Sequence, residues 1–403
     1  MAERSFIPYG KQSIDQDDID AVCAALQSDF LTCGPQIEAF ERAFAEFVGA
    51  KHAVVVANAT AALHLAMLVA EIGKGDRVVT SPNTFLSSAN CAAFVEATPD
   101  FCDIDPKTYT LCPKALEAMW TDDIKAVVAV AYAGQSADMP AISKLAHQRG
   151  AIVIEDACHG TGGGFEVDGT FYRQGGHPWA DITTFSFHPV KTLTTGEGGI
   201  LLTENDDYAA QARLLRAHGM TREAETMQGL GSETPALAEK GPWYYEMQQL
   251  GYNFRITDLQ CALGISQLKK LPRFIERRRE IVARYNTALS DLPWLKTPEL
   301  LRPEDAQHIS WHLYTIRIDF PALGKTRSDV MTELRSDSIG SQVLYIPVYL
   351  QPYYRETYGY AEGKCPNAES YYTEALSLPL YPAMTDEDVE HVISGIKRLA
   401  PTS

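Results

Sequence analysis

Two nearby segments concentrate the side chains that can do acid–base and nucleophilic work. The run Ala151–Glu155 leads into Asp156-Ala157-Cys158-His159, and the run Asp181–Phe187 leads through Ser186 into His188-Pro189-Val190-Lys191. Both runs are apolar and β-branched enough to be buried strands. Ligands of open α/β sheets sit outside the carboxyl ends of strands, so Asp156, His159, Ser186, His188 and Lys191 are expected to converge there. Lys191 stands in an apolar stretch before the turn Gly196-Glu197-Gly198-Gly199. Partial desolvation at such a place favours the free amine, a nucleophile toward carbonyl carbon. Asn58-Ala59-Thr60-Ala61-Ala62-Leu63 joins a first strand to a helix, where backbone N–H groups and the Thr60 hydroxyl suit a phosphate.

An amine, a carboxylate, a phosphate cup and a ring-stacking side chain together are what a pyridoxal phosphate site demands of a protein. Lys191 is the candidate amine, and Asp156 the carboxylate that keeps a pyridine nitrogen protonated. Thr60, with Ser186 as a second hydroxyl, is the candidate cup, and Phe85, in Ser81-Pro82-Asn83-Thr84-Phe85, the ring cover. Each has a plainer reading when taken alone. A lysine after a strand is usually solvated, Asp156 could cap a turn, and Thr60 could be only a helix N-cap. Phe85 could be core, and His159 and His188 could be loop residues satisfied by backbone. The constellation, not any single member, points to a cofactor site.

The elements that position these residues follow from periodicity. Short β-branched runs at Ala53–Val56, Arg77–Thr80, Phe101–Ile104, Lys125–Val130 and Ala151–Glu155 alternate with helical patterns, the signature of a mostly parallel sheet covered on both faces. Asp181–Phe187 and Gly199–Thr203 follow with only a short turn between them, which adds an antiparallel neighbour and makes a mixed sheet of about seven strands. A long Arg/Glu-rich helix from Leu259 leads to a smaller α+β unit, with strands expected at His312–Ile318 and Ser341–Val348 and helices at Ser328–Arg335 and Asp386–Leu399. The expected division is 1–265, an N-terminal arm with the large cofactor-binding domain, and 266–403, the small C-terminal domain. Between Thr221 and Trp243 the chain is polar and rich in Gly and Pro, expected as a loop over the site or a subunit interface.

Composition narrows the function classes. The chain has 403 residues, 45% of them hydrophobic, and a net charge of −17, which repels nucleic acid on average; no basic run exceeds Arg277-Arg278-Arg279. The eight cysteines form no C-x-x-C pair and no spacing typical of zinc sites, so reduced thiols and no metal are expected. The start, Met-Ala-Glu-Arg-Ser-Phe-Ile-Pro, carries no apolar leader, and no apolar run reaches the roughly 20 residues of a membrane span. A cytoplasmic protein without a membrane partner is expected.

The run Phe185-Ser186-Phe187-His188-Pro189-Val190-Lys191-Thr192-Leu193-Thr194-Thr195-Gly196-Glu197-Gly198-Gly199 resembles the Schiff-base lysine segment of the fold type I pyridoxal-phosphate aminotransferases that aminate nucleotide-linked keto-sugars. This is the sugar-nucleotide aminotransferase family of DegT/DnrJ/EryC1/StrS type, and the likeness covers nearly the whole chain. It implies a homodimer with sites at the interface. It also implies that Asp156 pairs with the pyridine nitrogen, that His159 lies by the ring hydroxyl, and that Ala59, Thr60 and Ser186 hold the phosphate. Asn253, in Gly251-Tyr252-Asn253-Phe254-Arg255-Ile256-Thr257-Asp258, matches the asparagine that members extend into the neighbouring subunit's phosphate site. Tyr9, Asp29, Phe30, Leu31 and Thr32 resemble the family's N-terminal substrate contacts, and Gln342, Val343, Leu344 and Tyr345 its site-closing strand. His188 is placed with the substrate contacts. Many relatives carry histidine where Leu344 stands.

Together with Pro242-Trp243-Tyr244-Tyr245-Glu246-Met247, these motifs are most similar to the subgroup that transfers the amino group of L-glutamate to C4 of UDP-2-acetamido-2,6-dideoxy-β-L-arabino-hexos-4-ulose in pseudaminic acid biosynthesis. Another UDP-, dTDP- or GDP-linked keto-sugar is the first alternative. The related deoxygenating enzymes carry histidine at the position of Lys191, so lysine points to transamination. A regulatory or sensor role fits poorly with the charge and with a complete Lys/Asp/phosphate set.

Overall fold

The computed structural model describes residues 5–400, and for Leu237 the backbone alone. Met1–Arg4, the start of the segment inspected for a leader, lies outside them. Seven strands form the main sheet: β1 (His52–Val56), β2 (Arg77–Thr80), β3 (Thr98–Phe101), β4 (Ile124–Val130), β5 (Ile152–Asp156), β6 (Ile182–Ser186) and β7 (Gly199–Thr203), in the order β1-β7-β6-β5-β4-β2-β3. β7 is antiparallel to both β1 and β6, and the other pairings are parallel. Six carboxyl ends therefore share one edge.

Alternation along the strands divides the core. Val54 and Val56 of β1, with Val128, Ile154, Ile182 and Leu201, pack under helix Ala59–Val69. Ala53, Val55, Phe185, Ile200 and Leu202 face the opposite way, against helix Pro35–Val48. Helix Asp258–Leu289 joins the two cores. Thr257 opens it with a capping box to Gln260; Cys261, Leu268, Leu271 and Ile275 pack on the large sheet, while Ile281, Val282, Tyr285 and Leu289 enter the core of the smaller unit. Position 265/266 falls within this helix. The smaller unit carries a three-stranded antiparallel sheet of β8 (Leu295–Lys296), β9 (Tyr314–Ile318) and β10 (Ala375–Leu378), with helices Arg327–Ser336 and Asp386–Arg398.

Two expectations are corrected. The strand expected at Phe101–Ile104 is Thr98–Phe101, pairing from Arg77↔Thr98. Pro99 hid it, yet proline is tolerated because β3 pairs only with β2 and is an edge strand. Ser341–Val348 forms no strand. It makes one bridge, Gln342↔Ser377, after which the Tyr132 hydroxyl takes the Leu344 carbonyl and Pro347 brings no donor. The segment from Thr221 to Trp243 holds two short helical turns, Ala224–Thr226 and Pro235–Ala238, and is tied down by Glu246, whose carboxylate accepts from the Gln228 and Gly229 N–H groups and the Tyr244 hydroxyl.

Phe44 is fully buried, with ring centroids 5.4 Å from both Phe185 and Phe187, the neighbours of Ser186. Phe44→Ala is expected to cost about 3–5 kcal/mol through the cavity it leaves. A urea midpoint equal to wild type would show that this cluster does not support the strand end.

Candidate active site

A cavity of about 470 Å³ opens at the carboxyl ends of β1, β2, β4, β5 and β6. Its phosphate-sized end is the start of helix Ala59–Val69. The Asn58 side chain caps that helix by accepting the Ala61 N–H at 2.9 Å, and the first N–H groups, those of Ala59 and Thr60, have no intrahelical partner. Such an end attracts anions. The Thr60 hydroxyl lies 2.7 Å from the Ser87 hydroxyl, and Ser186 stands across the cavity at the end of β6. Close approach keeps the cup in shape: a Cβ at Gly199 would fall 2.4 Å from the Asn58 carbonyl carbon and 2.5 Å from the Ala59 nitrogen.

Asp156 ends β5 and is buried. One carboxylate oxygen accepts the Cys158 N–H at 3.2 Å, and the other accepts the Ser88 hydroxyl at 2.6 Å. Lys191 lines the same cavity, and among the described residues its Nζ makes no hydrogen bond or ion pair. Burial lowers its pKa, opposed by the nearby Asp156 carboxylate. Phe85 is 56% exposed although it sits in the cavity wall, so a ring face is open to a ligand rather than spent in the core.

His159 is held between two elements. The Ala133 N–H donates to its Nδ1 at 3.3 Å, which leaves the ring proton on Nε2, 3.2 Å from the Tyr345 hydroxyl. Burial, then the nearby Lys191 cation, holds its pKa well below the usual histidine value, so the imidazole is neutral. Tyr345 and Leu344 close the cavity from the smaller unit. Tyr9 reaches it because Ile7 pairs in parallel with Ile339 and the Tyr9 carbonyl accepts the Leu380 N–H.

Of the expected residues, Tyr9, Ala59, Thr60, Phe85, Asp156, His159, Ser186, His188, Lys191, Leu344 and Tyr345 line this one cavity. Gln342 and Val343 do not; Gln342 is spent on the bridge to Ser377. Asp29, Phe30, Leu31 and Thr32 are exposed and lie elsewhere, where Thr32 pairs with Thr257 and the Leu31 carbonyl accepts the Asp258 N–H. Asn253 is exposed, pairs with Ala217 and is also absent from the wall. Sequence reasoning missed Thr84, Ser87, Ser88 and Tyr132. Ser87 and Ser88 stand two and three residues after Phe85, and the hydroxyl-rich start of helix Ser87–Phe94 was the available signal.

The donor set fits pyridoxal phosphate: free helix N–H groups and hydroxyls for the phosphate, an anion for a cationic ring nitrogen, an open aromatic face and an unpaired amine. Fold and site together define a pyridoxal-phosphate-dependent sugar aminotransferase of fold type I. A model of the DegT/DnrJ/EryC1/StrS aminotransferase family matches residues 12–397, and the chain belongs to that family. It is 43% identical to the spore coat polysaccharide biosynthesis protein SpsC of Bacillus subtilis over 97% of this chain and 96% of that one. Its structure matches Helicobacter pylori PseC, an aminotransferase involved in the biosynthesis of pseudoaminic acid, with a TM-score of 0.86 and 28% identity, covering 98% of this chain and 99% of that one. The PLP form of the sugar aminotransferase Spr1654 of Streptococcus pneumoniae matches at TM-score 0.86 and 26% identity, over 98% of both chains. No helix among the described residues is long and apolar enough to cross a membrane, and no group of three metal-ligating side chains occurs among them.

Two outcomes test the geometry. Gly199→Ala should weaken pyridoxal phosphate binding at least about tenfold by displacing the helix start; unchanged affinity by fluorescence titration would contradict the close approach. In cofactor-free protein the Lys191 amine should titrate below the lysine value of 10.5, and lower still in Asp156→Asn, which removes a charge that holds its proton on. A pH profile of acylation at position 191 that coincides with those of surface lysines would refute this.

Proposed function

We propose that Lys191 carries the cofactor covalently and moves the proton in both half-reactions of a transfer from L-glutamate to a nucleotide-linked 4-keto-6-deoxy sugar. The observation that carries this reading is the unpaired Lys191 amine in a cavity that also holds Asp156 and the open helix end at Ala59 and Thr60. Asp156 is proposed to pair with the ring nitrogen, Phe85 to cover the ring, His159 to lie by the ring hydroxyl, and Ala59, Thr60 and Ser186 to bind the phosphate. Bound there, pyridoxal phosphate supplies a carbonyl carbon that exchanges amino groups and a protonated ring that stabilises negative charge next to it. Lys191 Nζ, as a free amine, would take the proton from the donor's α-carbon and deliver it to the cofactor carbon across the shared nitrogen, then do the reverse with the sugar; burial favours its unprotonated form for this work. Tyr9, His188, Leu344 and Tyr345, at the mouth, are proposed to contact the sugar.

The preferred acceptor is UDP-2-acetamido-2,6-dideoxy-β-L-arabino-hexos-4-ulose, supported by the motifs described above and by the likeness to PseC. Leu344, where relatives carry histidine, and the higher identity to SpsC favour as second reading another nucleotide-linked keto-sugar of a surface polysaccharide. We propose a homodimer in which Asn253 and the Asp29–Thr32 segment serve the site of the second copy. In support, all five residues are exposed and lie outside their own cavity, Thr32 pairing with Thr257 and Asn253 with Ala217.

Lys191→Ala should abolish turnover and the visible band of lysine-linked cofactor. Borohydride reduction of the wild-type holoenzyme followed by peptide mapping should place a pyridoxyl group at position 191, and a clean peptide there would refute the assignment. Mixed dimers of Lys191→Ala and Asn253→Asp chains should exceed the activity of either parent, because one of their two sites receives both intact residues. No gain on mixing would mean that each chain completes its own site. Assay with a panel of 4-keto-sugars on UDP, dTDP and GDP, with products identified by mass and NMR, separates the acceptors.

A further inference from the structure

Asp156 is held from behind by a chain of hydroxyls that reaches it from a different element. Thr84 Oγ1 lies 2.7 Å from Ser88 Oγ, and Ser88 Oγ lies 2.6 Å from Asp156 Oδ2. The direction of both bonds is determined. An ionised carboxylate can only accept, so Ser88 donates its single proton to Asp156; its lone pair then accepts from Thr84. The shorter bond falls in the range of charge-assisted O–H···O⁻ contacts, roughly twice as strong as neutral ones. Ser88 is fully buried and is not part of the cavity wall, so it acts on a ligand only through Asp156.

We propose that Ser88, backed by Thr84, is the positioning residue that sets the rotamer of Asp156 toward the cofactor ring. The inference rests on the pairing of Asp156 with the ring nitrogen proposed above. Oδ2 is occupied by the short bond from Ser88, whereas Oδ1 accepts a long 3.2 Å bond from Cys158 N–H, and the Cys158 thiol also bonds the carboxylate; Oδ1 keeps a lone pair for a ring N–H. The titratable groups around Asp156 are Lys191, Cys91, Cys158 and Tyr345, and burial holds both thiols and the phenol in their neutral forms. Lys191 is the one cation among them.

The test uses the full-length protein and two readouts other than turnover: the dissociation constant for pyridoxal phosphate, and the pH midpoint of the bound cofactor's absorbance. Ser88→Ala should raise the dissociation constant about tenfold and shift the midpoint, whereas Ser88→Thr, which keeps the hydroxyl, should stay within about twofold of wild type. In an Asp156→Asn background Ser88→Ala should change the constant by less than about twofold, since residues acting as a unit are not additive. Equal losses in Ser88→Ala and Ser88→Thr, or the same tenfold loss with and without Asp156, would overturn the proposal. Should Ser88→Ala not fold, Thr84→Val tests the same chain from its outer end, with an expected shift of the midpoint in the same direction and wild-type behaviour counting against it. Wild-type binding and midpoint in Asp156→Asn alone would instead remove the ring-nitrogen pairing itself.

Discussion

A partly buried amine beside a buried carboxylate, without a hydrogen bond between them, is the condition on which the rest of the structure depends. Lys191 lacks the solvation that would stabilise its charge, and Asp156 directs both oxygens to other donors. Such an arrangement is costly in an unfilled core and useful where an electrophile enters. The sheet makes it possible. β5 and β6 run parallel, so Asp156 and the segment that follows Ser186 emerge side by side at one edge. β7 then runs back between β6 and β1, bringing Gly199 against Asn58 and Ala59. The single antiparallel strand thus ties the lysine turn to the phosphate cup over eight residues of chain, and a shift of one end is felt at the other.

The smaller unit completes the cavity through few contacts. The Leu344 carbonyl takes the Tyr132 hydroxyl, which is also 2.7 Å from the Tyr371 hydroxyl, and Tyr345 lies against His159. Tyr132 belongs to the large unit and Tyr371 to the smaller one, so this buried pair connects the two across the site. The neutral state of His159 matters here. An imidazolium at that point would add a second cation beside Lys191 and raise the cost of holding either charge out of water.

Most of the cavity was legible in the sequence because its residues follow strand ends, and strand ends are marked by β-branched runs whose burial is strong. Asp156, His159, Ser186 and Lys191 are of this kind. What was not legible came from contacts between distant elements. Ser88 and Thr84 matter only because helix Ser87–Phe94 packs beside β5, which no local pattern reveals. The failed strand at Ser341–Val348 has the same origin: its alternation suits a sheet, but its backbone is recruited by Tyr132. β3 was displaced by three residues because proline is a warning in central strands and harmless at an edge.

Five of the expected residues that the cavity does not contain are exposed: Asp29, Phe30, Leu31 and Thr32 run to the start of helix Asp258–Leu289, where Thr32 pairs with Thr257, and Asn253 pairs with Ala217. Leu230, Trp243, Tyr245 and Met247 are exposed around a hollow of their own. Trp243 is 62% exposed and Leu250 77%. Side chains of this size left in water on one continuous stretch mark a surface made to be covered. The Glu246 carboxylate, gathering four donors beneath them, gives that stretch a defined shape before anything covers it. In the proposed dimer the order held by Glu246 would carry over to a site in the other copy. That division of labour accounts for polar and apolar groups which, within one chain, have no ligand to serve.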